Sequence, residues 1–287
     1  MVFTLFCLAT CVLAFNVAAR LKPCNPEQAR FVWNELAVDA VYFLISLVLY
    51  GNVATLLMHW GVGAALGPRA TGAIKAIEAG YGVMPALPLA VQVLIVLVLT
   101  DICQYWLHRL FHGHVLWPFH AVHHSPRHVD WTTTWRVHPV QFLVYSAGVA
   151  ALVHTLGFSP MVYVILAPLN LFMGALVHAN LDWDFGPLRY VIASPVFHRW
   201  HHVDDPAVRD KNFAPTFPVL DLMFGTFYMP KGERPQVYGA ENTPEDFIGQ
   251  LVWPFQEILG RLNPKAKSDP NAKSGAKAGP RLGAPAA

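Results

Sequence analysis

Eight histidines fall in three tight groups between Asp101 and His202: His108 and His112, then His120, His123 and His124, then His198, His201 and His202. The patterns are HxxxH, HxxHH and HxxHH, each beside the end of an apolar run. Side chains three or four residues apart share one helix face, so each group aims its ring nitrogens at one point. Eight neutral imidazoles from three segments exceed what one ion needs and suit a pair of transition metals. Iron that handles O2 as co-substrate fits such a pair, because several neutral donors leave a reducible metal with open positions. Zinc is the competing occupant in a purified sample, since nitrogen sites bind it more tightly than ferrous iron. The chain has no HExxH, which argues against a zinc protease, and no paired Glu-x-x-His, which argues against a carboxylate-bridged bundle. Asp101 lies seven residues before His108 and so on the same helix face. Within a bilayer such a group is costly and marks function; its expected task is to accept the second N–H of a ligating imidazole.

Long apolar elements must hold these groups. Residues 1–19 carry no charged side chain, nor does Ala40–Met58, and Met84–Thr100 continues helically towards Trp106. Each approaches the ~20 residues that cross a hydrocarbon core. The first run is read as a crossing rather than a cleaved leader: no Lys or Arg precedes Arg20, and no clear cleavage site follows. From Pro139 to Val177 there is no Asp, Glu, Lys or Arg, and Gly157-Phe158-Ser159-Pro160 breaks the stretch in its middle. That length makes about two crossings, and a hairpin returns the chain to the side it left. All three histidine groups are then expected on one membrane face. Arg20, Lys22, Arg30, Arg109, Arg127, Arg136 and Arg189 share that side, against only Arg69 and Lys75 in the opposite loop. The positive-inside rule makes it cytosolic.

The expected architecture is all-α: a polytopic membrane helical protein with about four spans and a cytosolic, histidine-rich di-metal cap. Residues 1–83 are read as N-terminal membrane helices and loops, and 84–240 as the catalytic unit, whose part after His202 turns polar as a cap. Residues 241–263 are read as an amphipathic helix. It should start at Thr243-Pro244, kink at Pro254, and press on lipid or on the cap. Residues 264–287 lack periodicity and read as a disordered tail.

Composition supports a membrane solvent: 54% hydrophobic and 13% charged residues, with mean hydropathy +0.38. A net charge of +2 with no basic stripe excludes nucleic acid as a partner class. Cys7, Cys11, Cys24 and Cys103 lack CxxC spacing and read as small buried residues. His114 and His128 read as solvated, and His59 and His154 as remote from the metal groups. Gly61-x-Gly63-x-x-x-Gly67 lacks the strand–turn–helix setting of a nucleotide loop.

HRLFH at 108–112, HAVHH at 120–124, RVHP at 136–139, HAN at 178–180 and FHRWHH at 197–202 together resemble the fatty acid hydroxylase/sterol desaturase superfamily. DKNFA at 210–214 and DLMFGTFY at 221–228 extend the likeness, which covers roughly residues 95–230. It implies an integral-membrane, non-haem di-iron oxygenase acting on a C–H bond of a fatty acyl, sterol or related lipid. His108, His112, His120, His123, His124, His198, His201 and His202 match ligand positions, and so does His178. Where some members carry another histidine four residues later, this chain has Asp182, so Asp182 or a water would complete that shell. His138 recurs in the sterol-desaturase-like branch, as a ligand or as a group beside a ligand or substrate. Asp210 and Asp221 are implied to orient imidazoles.

The reading is an O2-dependent lipid hydroxylase, with a desaturase of the same superfamily as runner-up and a membrane metal-binding or transport protein as the rival of another class. No flavin, haem or iron–sulfur motif occurs, so electrons are expected from a ferredoxin or a cytochrome with its reductase. The expected location is the inner membrane of a bacterium, or the endoplasmic reticulum of a eukaryote.

Overall fold

The computed structural model describes residues 13–28 and 32–262. Most of the 1–19 run, Cys7, Cys11 and the 264–287 tail lie outside the described residues. Among the described residues there are ten helices: α1 (residues 13–21), α2 (Trp33–Leu66), α3 (Ala70–Ala79), α4 (Leu89–Phe111) and α5 (Trp117–His124) come first. Then come α6 (Pro139–Thr155), α7 (Pro160–His178), α8 (Pro195–His201), α9 (Val219–Met223) and α10 (Phe247–Leu262). Among the described residues there is no sheet, only a bridge between Val203 and Tyr238.

Local chemistry sets the helix starts. Proline opens α6, α7 and α8, where its missing N–H costs nothing and its φ is already helical. Ser159 and Ser194 cap α7 and α8 by accepting from the backbone N–H of Met161 and Phe197. The hairpin break falls where its sequence predicts, at Gly157 with φ +84°. A Cβ there would lie 2.4 Å from the Tyr81 carbonyl oxygen, so the turn requires glycine.

The apolar runs become α2, α4, α6 and α7. Helix α4 packs against α6 and α7 through Val96, Val149, Val153, Phe158, Val162 and Leu166. Its opposite stripe, Val91, Leu94, Val98, Ile102, Trp106 and Leu110, is exposed at three- and four-residue spacing. Among the described residues α4 is the one helix that meets the length and apolarity of a membrane crossing; α6 is apolar but has 17 residues.

Two expectations are corrected. Helix α10 begins at Phe247 rather than near Thr243, because the Asp246 carboxylate accepts from the Gly249 N–H and caps it there. The cap is not polar throughout: from Pro215 to Pro230 the one charged residue is Asp221, and it is fully buried. Helix α10 presents two faces. Phe255 and Phe247 lie edge-on to Phe119 and Tyr42, while Ile248, Leu259 and Leu262 are exposed.

Candidate metal centre

Four elements bring nine histidines together. Helix α4 supplies His108 in its last turn and His112 at its C-cap, α5 supplies His120, His123 and His124, α7 ends on His178, and α8 supplies His198, His201 and its C-cap His202. They form two groups, within each of which the candidate donor atoms all lie within 4.8 Å of one another. His108, His112, His120, His124 and His201 make one; His123, His178, His198 and His202 make the other. The groups adjoin where His124 stacks on His202, ring centres 4.5 Å apart. The hairpin achieves the meeting of His178 with His123, because α7 returns to the end from which α6 left.

The orientation of the rings follows from what their outer nitrogens touch. Nδ1 of His108, His123, His178 and His201 donates to the carbonyl oxygens of Phe213, Arg136, Gly174 and Lys211 at 2.7–3.1 Å. Nδ1 of His120 donates to the Gln141 side-chain oxygen at 3.0 Å, and that of His112 to Asp210 at 2.8 Å. A neutral imidazole has one N–H, so a ring that spends it on Nδ1 points a bare Nε2 lone pair inward.

The consequence tests whether metal fits. Nε2 of His108 faces Nε2 of His120 at 2.9 Å, and Nε2 of His178 faces Nε2 of His123 at 3.1 Å. All four rings already donate outward through Nδ1, so each pair sets two lone pairs against each other with no proton between. A cation resolves this: nitrogens about 2.1 Å from one ion and at right angles lie ~3.0 Å apart. In addition, Nε2 of His112 and of His201 is buried without a partner. The residues therefore fit one metal ion in each group.

Electrostatics agree. Burial, reinforced by neighbouring imidazoles, holds His120, His123, His124, His198, His201 and His202 well below the usual histidine range and so in the neutral form that metal needs. Asp210 is held below the usual carboxylate range, chiefly by its hydrogen bond with His112.

The remaining expected residues take other places. Asp210 does bond an imidazole. Asp101 does not: it accepts from the Phe217 backbone N–H at 3.0 Å and ties the cap to α4. Asp182 is no shell-completing ligand, because it pairs with Arg234 and, at 3.9 Å, with Lys22. His138 stands outside both groups. Its Nδ1 accepts from the Val140 N–H and caps α6, while Nε2 donates to the Leu251 carbonyl of α10 at 3.2 Å. Asp221 touches no imidazole but accepts from the Phe213 and Ala214 N–H groups and the Thr226 hydroxyl, which fixes the carbonyl that holds His108. His59, paired with Glu78 at 3.4 Å, and His154, beside Tyr81, lie away from the centre.

Sequence reasoning missed Gln141 and Gly174. Gln141, 5% exposed, is an amide in the first turn of an apolar helix. A polar amide in the first turn of an uncharged run is a signal that was there to read. Gly174 lets α7 approach the Trp131–Trp135 turn, since a Cβ would lie 2.5 Å from the Thr134 hydroxyl. No periodicity marks it.

Residues 93–226 match the family model described as fatty acid hydroxylase, and that stretch contains all nine histidines. The chain is 33% identical over 181 residues to ornithine lipid hydroxylase OlsE of Rhizobium tropici, covering 61% of this chain and 55% of that protein. It is 34% identical over 179 residues to alkylglycerol monooxygenase of Danio rerio, covering 57% and 39%. A very-long-chain aldehyde decarbonylase, GL1-4 of Oryza sativa subsp. indica, is 26% identical over 160 residues, covering 51% and 25%. The alignments thus span about half, or less, of these relatives' length. No solved structure matches the chain.

Proposed function

We propose that this protein, whose residues 93–226 match the fatty acid hydroxylase family model, is a membrane-bound, O2-dependent lipid hydroxylase built on a pair of iron ions. The observation that carries the reading is the facing of bare Nε2 atoms in both histidine groups. His108, His112, His120, His124 and His201 would hold one ion, and His123, His178, His198 and His202 the other. Such a pair, when bound and reduced, supplies the capacity to activate O2 towards an unreactive C–H bond.

The chain's own contribution is orientation and exclusion of water. The acceptors on Nδ1 fix the tautomer of six of the nine rings, and the buried, mutually repelling rings keep protons off the inward nitrogens. The apolar helices α4, α6 and α7 below the centre suit the hydrocarbon part of a lipid. In this reading α2, α4, α6 and α7 cross the membrane, the centre lies on the cytosolic side, and α10 rests at the interface. The relatives named for hydroxylation and monooxygenation of ornithine lipid and alkylglycerol favour a lipid with a polar head and long chains. A ferredoxin, or a cytochrome with its reductase, would deliver the electrons. A transporter would need donors along a path through the membrane, whereas all nine rings gather in two adjoining groups.

The test is comparative lipidomics under 18O2 of cells carrying the intact protein or His201→Ala. A lipid that gains one labelled oxygen with the intact protein alone is expected. A loss of two hydrogens instead would make the reaction desaturation, and identical lipid profiles from iron-loaded protein would remove the enzyme reading.

A further inference from the structure

The geometry points to a membrane-inserted foot: the segment Pro215–Gly225, with α9 at its centre, lies in the headgroup and upper acyl region of the bilayer beside α4. This rests on the reading that α4 crosses a membrane. Depth carries the argument. The Phe217 N–H bonds to Asp101, ten residues before α4 ends at Phe111. At 1.5 Å per residue the contact lies about 15 Å below the helix end. A cap wholly in water has no access to a spanning helix at that level.

The surface has the character this position demands. Val219, Leu222, Met223 and Phe224 are 43, 44, 68 and 39% exposed, and no charged side chain accompanies them, since Asp221 turns inward. Phe224 stands edge-on to Trp106, ring centres 4.8 Å apart, and Trp106 belongs to the exposed apolar stripe of α4. The two surfaces are therefore continuous. Arg109 lies over the other partner of that contact, its guanidinium 5.6 Å from the Trp106 ring, as a cation reaching for headgroups does. Backbone N–H groups of the foot and its flanks find acceptors within the protein, as a low-dielectric setting favours: Asp101 takes that of Phe217, and Asp221 takes those of Phe213, Ala214 and Thr226.

Site-specific photocrosslinking of the full chain in phosphatidylcholine–phosphatidylglycerol bilayers tests the placement. p-Benzoylphenylalanine replaces Met223, or Leu94 on the α4 stripe, or the exposed Lys231 of the cap, and intact mass reports phospholipid adducts. Adducts at position 223 are expected to match those at 94 and to exceed those at 231 by roughly ten-fold, the order of preference that burying one such side chain in hydrocarbon confers. Lipid adducts at 94 with none at 223 overturn the foot while leaving the membrane reading intact. Absence at both positions overturns both. Chain-to-chain adducts at 223 overturn the proposal in favour of a second copy covering this face.

Discussion

At Gln141 a single amide decides which nitrogen of His120 carries the proton. Replacement by Leu frees that choice, and an Nε2–H tautomer withdraws one donor from the five-histidine group. Gln141→Leu is expected to weaken metal binding there by 10–100-fold, as loss of such supporting partners generally does. Chelator competition measures this, and unchanged competition would show that His120 is held by packing alone. Asp182 gives the opposite expectation. Its carboxylate pairs with Arg234 and Lys22 at a half-open surface, so Asp182→Ala should leave metal content per chain unaltered and cost at most about 1 kcal/mol. A drop in bound metal in that variant would restore the ligand role that the structure denies it.

Helices α5 and α8 each bury three imidazoles in the neutral form. Folded-state protonation of all six lies below the unfolded value near 6.5, so on acidification the unfolded chain takes up protons first. Stability of the metal-free protein is therefore fully present above about pH 6.5 and falls below it, by about 1.4 kcal/mol per pH unit for each ring. Thermal unfolding between pH 7.5 and 5 checks the sign; a flat profile would mean that the rings are not buried neutral. Within α9, Asp221→Ala leaves two buried N–H groups without an acceptor and takes one of its partners from the Thr226 hydroxyl. The expected loss is about 3 kcal/mol of unfolding free energy, with slackened anchoring of His108 through Phe213.

A metal held by these groups would tie the whole molecule together, since the candidate donors come from α4, α5, α7 and α8 and are gathered only in the folded chain. Removing metal should lower the unfolding temperature by roughly 5–10 °C, the shift for a ligand held near a hundred times its dissociation constant. Added zinc should restore that temperature without restoring oxygen insertion into lipid. Recovery of both with zinc would contradict the assignment of a reducible metal.

The sequence by itself determined that the chain is helical, where its hairpin breaks, and that eight of the nine rings converge, while His178 was marked only by the family resemblance. Those features rest on local chemistry: 3.6-residue periodicity, a Gly–Ser–Pro interruption, and three- and four-residue spacing that puts rings on one face. How the rings divide into sets of five and four was decided only by the fold. His123 and His124 are neighbours along the chain yet belong to different groups, because successive helical side chains point about 100° apart and each meets whatever the packing brings. Of the carboxylates, Asp210 met its expected task at His112, but the tasks of three others were equally invisible. Asp101, Asp182 and Asp221 sit at plausible spacings, but a carboxylate's partner depends on which backbone N–H or guanidinium is folded against it. Here Phe217 and Arg234 arrive from 116 and 52 residues away to claim Asp101 and Asp182, and Phe213 turns back from eight residues away to claim Asp221.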